Sequence, residues 1–169
     1  MQEFRDLLVA EVNRRLFEES VPRLKKCLVE LEEKEIWYRP NENSNSVGNL
    51  VLHLCGNVRQ WVLTGLAGQP DVRQRQTEFD ERGPLPTADL IAKVDKLEED
   101  VRAYLEVISP EKILEPCTVQ GFKENGLSVL VHVVEHFSYH VGQMTYFVKW
   151  RKDMDMDYYG AMDLDVTGK

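Results

Sequence analysis

The residues in this chain with the types and spacing to do chemistry are its four histidines. His132, His136 and His140 stand four apart in VLVHVVEHFSYHVGQM, Val129 to Met144, where Glu135 is the only formal charge. His53 stands in NLVLHLCGNVRQW, Asn49 to Trp61, where Arg59 is the only charge. In a helix of about 3.6 residues per turn, residues four apart lie one above the other on one face. A pair of imidazoles so placed can clamp a metal ion, and three nitrogen ligands leave positions open for water or substrate. The same pattern also fits hydrogen-bonded core histidines. His132 and His140 are eight residues and ~12 Å of rise apart, too far to converge on one ion. The pair is therefore His132 with His136, or His136 with His140, and His136 belongs to both. Periodicity does not choose between His132 and His140.

For His132 alone, a satisfied core residue is the ordinary reading. For His53, His136 and one neighbour together the balance reverses. Buried imidazoles each need a partner, few carboxylates lie nearby in the sequence, and a metal explains the set more simply. Nitrogen ligation suits Zn, Ni, Fe or Cu, and Mn is within reach.

The elements that must position these residues read as helices. Phe4, Leu7, Leu8, Val12 and Leu16, then Leu24, Cys27, Leu28 and Leu31, keep one helical period. They predict a first helix over about residues 2–34, bent or broken at Pro22. The polar segment 41–46 ends in good N-cap chemistry, and a second helix follows over about 47–66. Residues 67–86 form a long connection with no convincing long helix, of the kind that is functional or a crossover. A third helix starts at Thr87 and keeps its period to Ile108. After a connection with a turn expected at 123–126, the fourth helix runs over about 127–152. The acidic tail from Asp153 is expected to be loosely ordered or to lie against a neighbour. The sum is one all-α domain over residues 1–169, a four-helix bundle with room for a crossover between helices two and three.

Composition sets the frame for function. The 169 residues are 43% apolar and 30% charged, with a net charge of −8. That acidity argues against nucleic acid or anionic lipid as partner, and no apolar run approaches the ~18 residues of a membrane span. Charges in MQEFRDLLVAEV stand where a signal peptide is apolar, so the expected location is cytoplasmic. Cys27, Cys55 and Cys117 are an odd, scattered set without CxxC spacing, read as small buried apolar residues rather than a catalytic thiol or disulfide scaffold.

The pattern NLVLHLCGNVRQW, followed later by HFSYHVGQM (His136 to Met144), resembles the DinB-like superfamily of four-helix-bundle metalloenzymes, which includes bacillithiol and mycothiol transferases. That group carries one histidine on its second helix and an HxxxH pair, typically followed by xGQ, on its last. Here those positions are His53, His136 and His140, with Gly142 and Gln143 completing the signature; the segment 73–83 also resembles a subgroup. The resemblance implies His53, His136 and His140 as ligands of a divalent metal, zinc or nickel first, iron or manganese next. It leaves His132 supporting the site or in the core, and it implies frequent homodimers. The expected function is transfer of a low-molecular-weight thiol to an electrophile, or hydrolysis of a small-molecule substrate. The alternatives are a noncatalytic metal-binding or stress-response dimeric bundle, and an interaction bundle without metal. Asn49 and Asn57, one turn either side of His53, are candidates to bind substrate or to link helices. Gln143 is a candidate to orient His140. Trp61 and Tyr139 are candidates for a pocket wall or the core. Glu135 reads as solvated rather than as a general base. Arg73, Arg75 and Arg82 are loop cations that could meet a thiol cofactor's carboxylates.

Overall fold

A computed structural model of the chain describes residues 1–160 and 162–168. The first long helix is continuous over residues 2–30. It comprises α1 (Gln2–Asn13), a π-helical stretch (Arg14–Ser20) and α2 (Val21–Glu30). The break expected at Pro22 is thus a change of pitch in the turns before it. Pro22 has no N–H to give a carbonyl four residues back, and Val21 N–H already reaches five back, to Leu16 O. The helix ends short of residue 34, because Leu31 is extended. A separate single turn, α3 (Glu33–Ile36), follows, with Glu32 and Glu35 forming a reciprocal cap.

Helix α4 (Val47–Val58) starts at Ser46, whose hydroxyl caps Asn49 N–H. It runs on as a second π-helical stretch, Arg59–Thr64. The connection after it is not bare loop. Residues 65–86 fold back along α4 and include a short helix, α5 (Arg75–Asp80). Asn49, near the start of α4, holds both Glu78 O and Glu81 O at 2.9 Å through Nδ2. Trp37 packs on Gly48 and Gly83 and donates to Leu85 O. Helix α6 (Thr87–Val107) therefore begins beside the start of α4 and packs along it in the same direction, as a crossover requires.

After α6 come α7 (Pro110–Leu114) and a two-stranded antiparallel hairpin, β1 (Pro116–Val119) and β2 (Phe122–Asn125). The turn expected at 123–126 lies instead at Gln120 and Gly121, both at positive φ (51° and 83°). That pair of conformations makes the tight turn whose twist matches a hairpin. Helix α8 (Gly126–Lys152) is capped by Asn125 and crosses the bundle. α4 packs on α6 and α8, and α2 on the same two helices, around a core that includes Leu24, Leu28, Leu54, Leu105, Leu130 and Met144. The acidic tail is not loose over its first residues. Met156 is buried, and Tyr158 Oη is 2.7 Å from Thr145 Oγ1. No helix among the described residues is long and apolar enough to cross a membrane.

Candidate metal centre

Two helices bring His53, His136 and His140 together. His53 is in mid-α4, 5% exposed, on a stretch whose other residues make it a core helix. His136 and His140 are one turn apart on α8. One nitrogen from each of the three lies within 4.8 Å of the others, and His53 Nε2 is 2.9 Å from His136 Nε2. A tetrahedral zinc ion with bonds of about 2.0–2.1 Å holds its nitrogens ~3.3 Å apart, a spacing this cluster brackets.

The nitrogens turned away from the cluster fix what the inner ones offer. His53 Nδ1 is 3.2 Å from Glu78 Oε2, on α5. Arg73 clamps that carboxylate from both sides, Nε to Oε1 at 2.7 Å and an Nη to Oε2 at 2.8 Å. Burial pushes the Glu78 carboxyl up, but hydrogen bonds from Arg73 and His53 outweigh it and hold the group below its ordinary value. Ionised Glu78 only accepts, so the His53 proton sits on Nδ1 and its Nε2 presents a lone pair. The same Arg73 nitrogen is 3.2 Å from His53 Nδ1; two donors cannot bond to each other, and the carboxylate contact decides. His140 Nδ1 is 2.8 Å from Gln143 Oε1, again an acceptor, which turns the His140 Nε2 lone pair inward. Burial, then the neighbouring His140, His53 and His132, push His136 down to about 4. Burial also lowers His140, against the Gln143 contact. His136 and His140 are therefore neutral at pH 7, and with two of the cluster's lone pairs fixed inward the donor set fits a divalent ion.

The other predicted residues divide. His132 is outside the cluster. Its ring lies on Trp61 with centroids 3.7 Å apart and beside His136 at 5.2 Å. Trp61 is buried and donates to Gln120 Oε1 at 2.9 Å. Asn49 does not face the cluster; it completes the α4 cap and tethers α5. Asn57 lines a cavity of about 320 Å³ that reaches His53 and His136. Gln143 contacts His140. Tyr139 is neither core nor wall, since it is 62% exposed. Glu135 is exposed. Arg75 lines the same cavity, whereas the Arg82 side chain donates to the backbone carbonyls of Phe79 and Glu81. All three thiols are unpaired, and burial raises them, Cys55 to about 12, which disfavours their thiolate forms.

Glu78 is the residue that sequence reasoning missed, and Arg73 was weighed for a different task. The available signal was Gly56, on the face of α4 one turn from Leu52 and three residues past His53. A Cβ there would collide with Glu78 Oε1 and lie 2.9 Å from Arg73 Nε. The glycine makes room for the buried ion pair.

A family model described as "Protein of unknown function (DUF1572)" matches residues 7–160, and the chain belongs to that family. No curated protein matches it. Two solved structures are similar in fold. One is a DinB-like protein, YjoA, from Bacillus subtilis, 17% identical over 88% of this chain and 94% of that one, with a TM-score of 0.65. The other is a conserved protein from Enterococcus faecalis, 15% identical over 88% and 97%, with a TM-score of 0.67. At those identities the likeness speaks to the fold, which is the DinB-like helical bundle.

Proposed function

We propose, with membership of this family and the DinB-like fold as premise, that the chain is a metal-dependent enzyme that transfers a low-molecular-weight thiol to an electrophile. His53, His136 and His140 would hold the divalent ion, with zinc or nickel better suited than iron or manganese to this nitrogen set. The observation that carries the reading is the convergence of three imidazoles, one buried and two half-buried, two with their lone pairs turned inward by Glu78 and Gln143. Among the described residues no cysteine or carboxylate joins the group as a fourth ligand. An open position of that kind distinguishes reactive from structural sites. A divalent ion bound there supplies acidification of a coordinated thiol or water, which serves thiol transfer and hydrolysis alike.

The chain's own residues do the rest. Arg73 keeps Glu78 ionised, Glu78 keeps the His53 proton on Nδ1, and Gln143 does the same for His140. Trp61 and Phe122, stacked with centroids 6.3 Å apart, wall the cavity beside His136. A homodimer belongs with this reading. Val131, Tyr139, Tyr146 and Trp150 are exposed at helical spacing along one face of α8, and sedimentation would measure its partner.

The test is turnover by zinc- or nickel-loaded protein of 1-chloro-2,4-dinitrobenzene with a panel of small thiols, beside hydrolysis of an activated ester. Thiol-dependent product that vanishes in His136→Ala supports the proposal. Ester hydrolysis alone moves it to a hydrolase, and metal binding without either activity leaves a noncatalytic metal-binding bundle.

A further inference from the structure

The cavity beside the three histidines has polar features that the metal does not use. Asn57 is 3% exposed and one turn beyond His53, and its Oδ1 is buried with no hydrogen-bond partner. His132 Nε2, on the opposite helix, is likewise buried and unpartnered. An unmet buried acceptor destabilises the fold, so a site that keeps one is shaped for a group that arrives from outside. Two opposite charges line the same cavity, Arg75 on α5 and Glu124 on β2. Arg75 lies 4.8 Å over the Phe79 ring, which fixes its approach. Among the described residues neither side chain forms an ion pair, with the other or with any third group. Charges that share a cavity without meeting can each take the complementary end of one ligand.

The geometry points to a subsite for an α-amino acid zwitterion, with ammonium toward Glu124 and Asn57 Oδ1, carboxylate toward Arg75, and side chain toward His53 and His136. Both acceptors stand ready for one cationic group and one guanidinium for one anionic group. Trp61 and Phe122 supply the apolar wall between them. This deepens the thiol-transfer reading by naming the substrate class, and rests on it only for the sulfur end of the ligand.

The probes are S-methyl-L-cysteine and its two halves, 2-(methylthio)ethylamine without the carboxylate and 3-(methylthio)propionate without the amine. None offers a thiolate, and because the zwitterion alone could chelate an ion through its amine and carboxylate, the metal-free protein must show the same preference. Calorimetry on metal-free and zinc-loaded protein should show the zwitterion binding about tenfold or more tighter than either half. Arg75→Gln should erase its advantage over the amine, and Glu124→Gln its advantage over the acid. Equal binding of all three, or both exchanges weakening all three alike, overturns the subsite. Zinc content of the same samples keeps the readings apart. Zwitterion preference in protein that takes up no zinc on titration sinks the metal reading alone, and protein that takes up zinc but lacks the preference sinks the subsite alone.

Discussion

Exchange of Glu78 for glutamine alters one atom at a buried junction, and the structure sets what should follow. In the native chain Oε1 accepts from Arg73 Nε, while Oε2 accepts from an Arg73 Nη and lies 3.2 Å from His53 Nδ1. A glutamine has one acceptor for these three donors, and its own N–H groups then face a guanidinium or the imidazole N–H. His53 loses the group that fixes its proton on Nδ1, so part of the population presents N–H rather than a lone pair to the cluster. Loss of such a supporting partner weakens metal affinity about 10–100-fold, or roughly 1.4–2.7 kcal/mol. The metal-free fold should also lose about 1–3 kcal/mol, since donors of a buried Arg73 go unmet. Competition titration against a chromophoric zinc chelator gives the first number and denaturant unfolding the second. Asp80→Asn, the same charge change on the exposed side of α5, is the control and should leave both unchanged. Glu78→Gln with wild-type zinc affinity would refute the account of how His53 is oriented.

His136→Ala should lower zinc affinity by more than the ~100-fold ceiling of an outer contact, whereas His132→Ala should spare it and cost only packing against Trp61; the same titration reads both. Gly56→Ala gains up to ~1 kcal/mol of helix propensity, yet should weaken zinc binding as Glu78→Gln does, because the new methyl displaces that carboxylate; retained affinity would mean α5 shifts freely. Protonation of His136 should cost zinc affinity only as pH nears 4, since burial has already lowered that group to about 4, and burial lowers His140 in the same direction; zinc titrations across pH read this. By the same sign, His136 binds fewer protons in the metal-free fold than in the unfolded chain between about 4 and 6.5, so stability should drop as pH falls through that window, seen in acid unfolding curves.

Most of the bundle could be read from periodicity. Leu90, Val94, Leu97, Val101 and Leu105 mark α6, and the residues flanking His53 mark α4 as a core helix. The crossover was legible as the length of the 67–86 connection. Glu78 was not, because its partner His53 is 25 residues away and only tertiary folding brings α5 onto Gly56. The hairpin was hidden for a different reason: four-residue strands carry too few positions to show alternation, and only Gln120–Gly121 signals the turn. Among the histidines, spacing singled out His136 but left His132 and His140 equal. The structure separates them through their neighbours, Trp61 stacked on one and the cluster nitrogens facing the other.

Metal content tests the central claim most directly. Protein expressed without a histidine tag and purified without chelator should carry close to one zinc or nickel per chain by elemental analysis. After removal, one equivalent should rebind in wild type and not in His136→Ala. Native protein that holds no metal and takes up none on titration with zinc or nickel would contradict the account.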